Sequence, residues 1–155
     1  MNDPELAALK QAMSELRDSN KERRRTAVMK LGMMGGDEAV RTLIFTVRNP
    51  TEDLIVRGRA ALMLGKLGDL RAVDPLIEAL DEPASGFQTR MYAAESLGKL
   101  GDRRAIAALL RAAELDGDKI REAAQAALAR LGYEAEPDDP PATRPARQPV
   151  AEGES

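Results

Sequence analysis

The chain of 155 residues contains no cysteine, no histidine and no tryptophan, and its aromatics are only Phe45, Phe87, Tyr92 and Tyr133. Each absence removes a chemistry. Without cysteine there is no disulfide, no thiolate ligand for zinc and no thiol nucleophile. Without histidine there is no imidazole base, no Ser-His-Asp triad and no histidine-held metal. No catalytic residue, metal site or cofactor is therefore expected. No apolar run approaches the roughly 20 residues that span a bilayer. The opening Met1-Asn2-Asp3-Pro4-Glu5 lacks the basic region and apolar core of a secretory signal. A cytoplasmic protein without a membrane partner is the expectation. A strong excess of one charge is missing too. Residues 1–132 hold 21 basic and 20 acidic side chains, whereas residues 133–155 hold 2 and 6. A near-neutral body disfavours wholesale binding to a nucleic-acid backbone, which draws on a basic face.

What the chain does have is a repeat. Leu64-Gly65-Lys66-Leu67-Gly68-Asp69 returns 33 residues later as Leu97-Gly98-Lys99-Leu100-Gly101-Asp102. One period earlier stands Leu31-Gly32-Met33-Met34-Gly35, with Gly36 inserted before Asp37. Leu128-Ala129-Arg130-Leu131-Gly132 closes the series. Arg24, Arg57, Arg90 and Arg121 precede these leucines by seven residues, and Ala27, Ala60, Ala93 and Ala124 follow those arginines by three. Upstream half-motifs align as well: Ala39-Val40, Ala72-Val73 and Ala105-Ile106, each followed by an apolar pair. Apolar residues at i, i+3, i+4 and i+7, such as Val73, Leu76, Ile77 and Leu80, have helical spacing. Each repeat reads as helix, turn and helix. Eight helices are predicted, at 4–17, 21–34, 38–48, 54–67, 70–81, 87–100, 103–115 and 118–131.

The punctuation supports this division. The second glycine of each motif falls where a helix ends in a left-handed residue. Asp37, Asp69 and Asp102 then stand at expected N-cap positions. The first glycine (Gly32, Gly65, Gly98) lies inside a helix, at a cost of roughly 1 kcal/mol relative to alanine, which implies a close approach of two helices. Pro75, past the first turn of its helix, predicts a local kink. Beyond Gly132 the composition shifts: residues 133–155 contain five prolines and few large apolar side chains. They read as a disordered acidic tail, a solubilising linker or a proline-rich ligand.

The motif Val56-Arg57, Ala60-Ala61, Leu64-Gly65-Lys66-Leu67-Gly68-Asp69 resembles the HEAT-like repeats, in the short form of many bacterial and archaeal proteins and of the phycobilisome bilin lyases. The resemblance covers residues 4–132. It implies an all-α fold, an α-solenoid or HEAT/armadillo-type superhelix of four helix-turn-helix repeats at about 4–36, 37–68, 69–101 and 102–132. The aromatic positions of tetratricopeptide repeats and the Thr-Pro-Leu-His of ankyrin repeats are absent. HEAT-like hydroxylases hold iron through His-Glu pairs, which this chain cannot supply. HEAT-like DNA glycosylases rely on tryptophans and a basic concave face, also absent. The remaining implication is a non-enzymatic scaffold or adaptor for another protein, with a bilin-lyase-like chromophore handler as the alternative.

Several residues are candidates within that frame. The aligned Arg24, Arg57, Arg90 and Arg121 form either an anion-binding row or, as the family resemblance implies, a structural ladder bonded to acids of the intra-repeat turns. Asp18, Asp53 and Asp118 are the acids nearest in sequence. Arg23-Arg24-Arg25 is the densest basic cluster, either a solvated face held by Asp18 and Glu22 or a contact for an acidic partner. The resemblance also implies that second helices line the concave surface. Positions facing outward there include Arg25, Met29, Arg59, Leu62, Lys66, Met91, Tyr92 and Lys99, the expected partner-binding set. These residues either form a binding ridge or are half-buried between adjacent helices. Polar sides on the first and last helices favour a monomer.

Overall fold

A computed structural model describes residues 2–134, and the expected tail lies beyond Glu134, outside the described residues. Among the described residues there are eight α-helices and no strand. They are α1 (Asp3–Glu15), α2 (Lys21–Met34), α3 (Asp37–Arg48), α4 (Leu54–Leu67), α5 (Val73–Asp81), α6 (Phe87–Leu100), α7 (Ile106–Leu115) and α8 (Asp118–Arg130). Each odd-numbered helix packs on the even one that follows it, and each even helix packs on the next even one. The result is two layers, and the even-numbered layer is the more closely packed. In a stack of two layers, the one with the tighter spacing lies on the inside of the curve.

The periodic apolar positions fill the space between the layers. Leu31, Leu64 and Leu97, from the even helices, and Leu43, Leu76 and Leu109, from the odd ones, are completely buried. Burial of each such leucine is worth roughly 1.5–3 kcal/mol. Ala27, Ala60, Ala93 and Ala124 are equally inaccessible. Their small side chains leave room for the leucines of the facing layer.

The three intrahelical glycines explain the close spacing. A Cβ placed on Gly32 would run into the Met63 side chain, whose Cβ lies at 2.7 Å. On Gly65 it would meet Ser96, with the backbone Cα at 2.8 Å, and on Gly98 it would meet Cα and Cβ of Ala127, both at 2.8 Å. Every even helix therefore presents a bare backbone to the next one. Two hydroxyls then tie α6 to α4: Ser96 Oγ donates to the Ala61 carbonyl at 2.7 Å and Thr89 Oγ1 to that of Leu54 at 3.2 Å.

The turns follow the sequence with corrections. Gly68 and Gly101 end α4 and α6 at φ 73° and 71°, the left-handed conformation expected there. Asp69 and Asp102 cap as expected, but each first opens a short 3-10 turn, Leu70–Ala72 or Arg103–Ala105, before the α-helix begins. Asp37 is not a cap. The inserted Gly36 takes that position, and Asp37 becomes the first residue of α3 with its carboxylate turned to Arg41 and Arg71. Pro75 does not kink a helix: α5 proper starts at Val73, so the proline lies in its first turn, where an N–H has no intrahelical acceptor. Caps not anticipated are Asn2, which forms a reciprocal pair with Glu5, and Asn20 at the start of α2.

Glycine substitutions test this packing. Gly65→Ala and Gly98→Ala should lower stability in thermal or urea unfolding by about 1–3 kcal/mol, as overpacking does, despite alanine's higher helix propensity. Gly58→Ala should raise stability by up to about 1 kcal/mol, because its Cβ would rest at an ordinary 3.5 Å from the Tyr92 ring.

Candidate functional site: the inner helix face and the arginine ladder

The arginine ladder is built at one edge of the solenoid, where odd helices end and even helices begin. Arg24 Nε donates to both oxygens of Glu52 at 3.0 and 3.1 Å, and its Nη1 to the carbonyls of Asp18 and Ser19. Arg90 grips Asp116 with two Nη donors at 2.6 and 2.8 Å, while its Nε bonds the Leu80 carbonyl. Arg121 bonds Asp118 and the Asp116 carbonyl. Each arginine thus satisfies carbonyls at the end of the preceding stretch of chain. Arg24 and Arg90 also reach a carboxylate of the next repeat's turn. Arg57 holds only the Val47 carbonyl, at 3.0 and 3.1 Å. Burial pulls the Arg57 guanidinium below its ordinary value, opposed by the field of Glu82.

The acids differ from those expected. Of Asp18, Asp53 and Asp118, only Asp118 gives its carboxylate to a ladder arginine. Asp18 contributes its carbonyl to Arg24 and its carboxylate to Arg23, and Asp53 caps α4 through the Ile55 and Val56 amides. The turns inside the repeats differ in length, so the acid that reaches each arginine sits at a different place in each. Glu52 and Asp116 are the ones sequence spacing did not single out. The Arg23-Arg24-Arg25 cluster is neutralised locally: Arg23 pairs with Asp18, Arg24 with Glu52, and Arg25 with Glu22 and, at 3.8 Å, Asp53.

The inner face shows a division within the expected binding set. Met29, Leu62, Met91 and Tyr92 are partly buried and pack against the core between neighbouring even helices. The Tyr92 ring lies beside Gly58 of α4, whose missing side chain makes room for it. Arg25 and Arg59 are half-buried, whereas Lys66 and Lys99 are exposed. Lys99 pairs with Glu95 at 3.3 Å. Arg59, Lys66 and Arg130 make no ion pair among the described residues. Lys66, Lys99 and Arg130 occupy equivalent positions in the last turns of α4, α6 and α8, where positive charge complements the helix dipole. Met33 holds the same position on α2 and is 84% exposed. The outer layer carries one large exposed aromatic, Phe45, which the helical pattern alone did not mark.

At the opposite edge, acid–base pairs cross between repeats. Arg71 chelates Asp69 and reaches Asp37 at 2.7 Å; Arg104 chelates Asp102 and lies 3.6 Å from Asp74. The odd helices are joined by Arg48–Glu78 and Arg111–Asp81. The Arg71 guanidinium, followed by the Arg71 backbone N–H, holds the Asp69 carboxyl below its ordinary value of 3.8, and Arg104 does the same for Asp102. Among the described residues no group of acids is arranged to hold a metal ion, and no helix is long and apolar enough to cross a membrane.

These features define an α-solenoid of the HEAT type. The model for HEAT repeats matches residues 6–88 and 52–129, and the chain belongs to the HEAT-repeat family. Among solved structures it is similar to a chain in the complex of CpcE and CpcF, the phycocyanin lyase of Nostoc sp. PCC7120. That match has 30% identity and a TM-score of 0.68, covering 80% of this chain and 53% of that one. It is also similar to human deoxyhypusine hydroxylase, with 26% identity and a TM-score of 0.70, covering 81% of this chain and 44% of that one. The chain thus spans about half the length of these structures. No curated protein matches it.

The capping carboxylates set the acid limb of stability. Their folded values lie below the unfolded one, so their contribution is present above pH 3.8 and is lost as pH falls through the lowered values. Chemical-denaturation midpoints should stay level from about pH 7 to 5 and fall below about pH 4. Asp69→Asn with Asp102→Asn should make that fall shallower.

Proposed function

We propose that this chain is a non-enzymatic protein-interaction module that presents the inner face of α2, α4, α6 and α8 to an acidic surface of a partner protein. The observation that carries this reading is the basic row of Arg59, Lys66, Lys99 and Arg130, three of whose members make no ion pair. The half-buried Met29, Leu62, Met91 and Tyr92 form the apolar floor beneath it. An unpaired cation row on a rigid, preorganised surface gains more from an acidic partner than a row neutralised by its own acids. The similar CpcE–CpcF structure, itself a complex of two proteins, agrees with a protein partner. On this reading Leu62 and Tyr92 shape the surface, and the basic side chains make the contacts.

Charge reversal tests it without disturbing the core. Proteins captured from the native cell by the wild-type chain should be depleted roughly tenfold on Arg59→Glu with Lys66→Glu, with the circular dichroism spectrum unchanged. Phe45→Ala on the outer layer should leave capture intact. Retention by the double variant would contradict this surface.

A second reading rests on the 30% identity to the phycocyanin lyase structure. A chromophore handler would develop a visible absorption band on mixing with an open-chain tetrapyrrole. The scaffold reading predicts no such band.

A further inference from the structure

The ladder is interrupted at its middle junction. Arg24 and Arg90 each hold a carboxylate from the following repeat, Glu52 and Asp116. Arg57 has none. Its Nε and Nη2 share the Val47 carbonyl, and Nη1 has no hydrogen-bond partner among the described residues. Glu82 of the following turn acts on Arg57 through its field but is not within ion-pairing distance, because its carboxylate caps the 3-10 turn Pro83–Ser85 by accepting from the Ala84 amide at 3.0 Å. The proline-bearing turn thus keeps its acid for itself.

Two further features sit at this junction. Arg57, only 8% exposed, lines a cavity of about 280 Å3 together with Val47, Ala79, Glu82 and Ser85. Ser85 is 1% exposed, and its Oγ meets no hydrogen-bond partner. The same cavity therefore contains a buried guanidinium with a spare donor and a buried hydroxyl with none of its bonding used. An unsatisfied hydroxyl in such a place is costly.

The geometry points to a carboxylate-binding site here: Arg57 and Ser85 together accept a carboxylate of an acidic side chain or of a small organic acid. It would take the place that Glu52 and Asp116 fill at the neighbouring junctions. A guanidinium donor and a hydroxyl donor suit the two oxygens of one carboxylate. A phosphate dianion suits the cavity less, because Glu82 and the Glu78 of the Arg48–Glu78 pair also line it, and their repulsion grows with ligand charge. The site lies away from the inner helix face and does not depend on the function proposed above.

Spectra of the arginine Nε–H groups of the full 15N-labelled chain test this directly. Sodium acetate and a blocked Gly-Glu-Gly peptide would be titrated in turn, with sodium phosphate at matched ionic strength as the comparison. Saturating shifts of Arg57 Nε–H and the Ser85 amide, with Arg90 Nε–H unmoved because Asp116 already occupies it, are expected. Saturation by acetate identifies small acids as sufficient ligands, and saturation by the peptide alone identifies a polypeptide source; either supports the site. Ser85→Ala should weaken binding about fivefold, the worth of one hydrogen bond. Glu82→Gln, which keeps the capping oxygen and removes the repelling charge, should strengthen it about threefold. Equal movement of Arg57 and Arg90, failure of both carboxylates to saturate, phosphate binding as tight as acetate, or indifference to both substitutions would overturn the proposal.

Discussion

The close approach of the even-numbered helices is the constraint on which the rest of this structure depends. Gly32, Gly65 and Gly98 each leave a bare patch of backbone against Met63, Ser96 and Ala127 of the next even helix. A glycine inside a helix is unfavourable on its own, and here that cost recurs at three consecutive junctions. It is offset by the contact it permits. With the even helices drawn together, the leucines of both layers close over one another and the Ser96 and Thr89 hydroxyls reach carbonyls of α4. The same approach sets the curvature, and it buries the sides of Met29, Leu62, Met91 and Tyr92 that a free helix would expose.

Electrostatics secures the register that packing defines. Ion pairs join residues of consecutive repeats at both edges and along the outer layer: Arg24–Glu52, Arg90–Asp116, Arg71–Asp37, Arg48–Glu78 and Arg111–Asp81. Exposed pairs contribute little each. The part-buried Arg24 and Arg90 contribute differently, since each also satisfies carbonyls that the preceding helix or turn leaves open. A solenoid has no single core to enforce its shape, so contacts between adjacent repeats carry its stability. The charges left over after this internal pairing, on Arg59, Lys66 and Arg130, are the ones available to a partner.

Much of this was legible in the amino-acid sequence because the repeat itself supplies an internal comparison. Helix positions followed from the recurrence of Leu-Gly-x-Leu-Gly, and the close approach followed from a glycine that a lone helix would not choose. What resisted reading lies where the repeats differ. Asp37 lost its cap to an inserted Gly36, and Pro75 fell inside the first turn of α5 because a 3-10 turn precedes it. The acids of the ladder were misassigned because the turns holding Glu52, Glu82 and Asp116 have different lengths, and only the three-dimensional path shows which reaches its arginine. The inner face was hardest. Helical angle alone placed Leu62 and Tyr92 outward, but the wall formed by the neighbouring helix, set by the glycine contact, half covers them.

A double-mutant cycle across one of these contacts measures the central constraint most directly. Gly65→Ala adds a methyl against Ser96, and Ser96→Gly takes away the side chain it would strike. Unfolding free energies of the wild type, both single variants and the pair should show that the second change relieves the first, with a favourable coupling of about 1 kcal/mol or more. Additivity of the two changes within about 0.5 kcal/mol would mean that the helices do not meet there, and the stacking described above would be wrong.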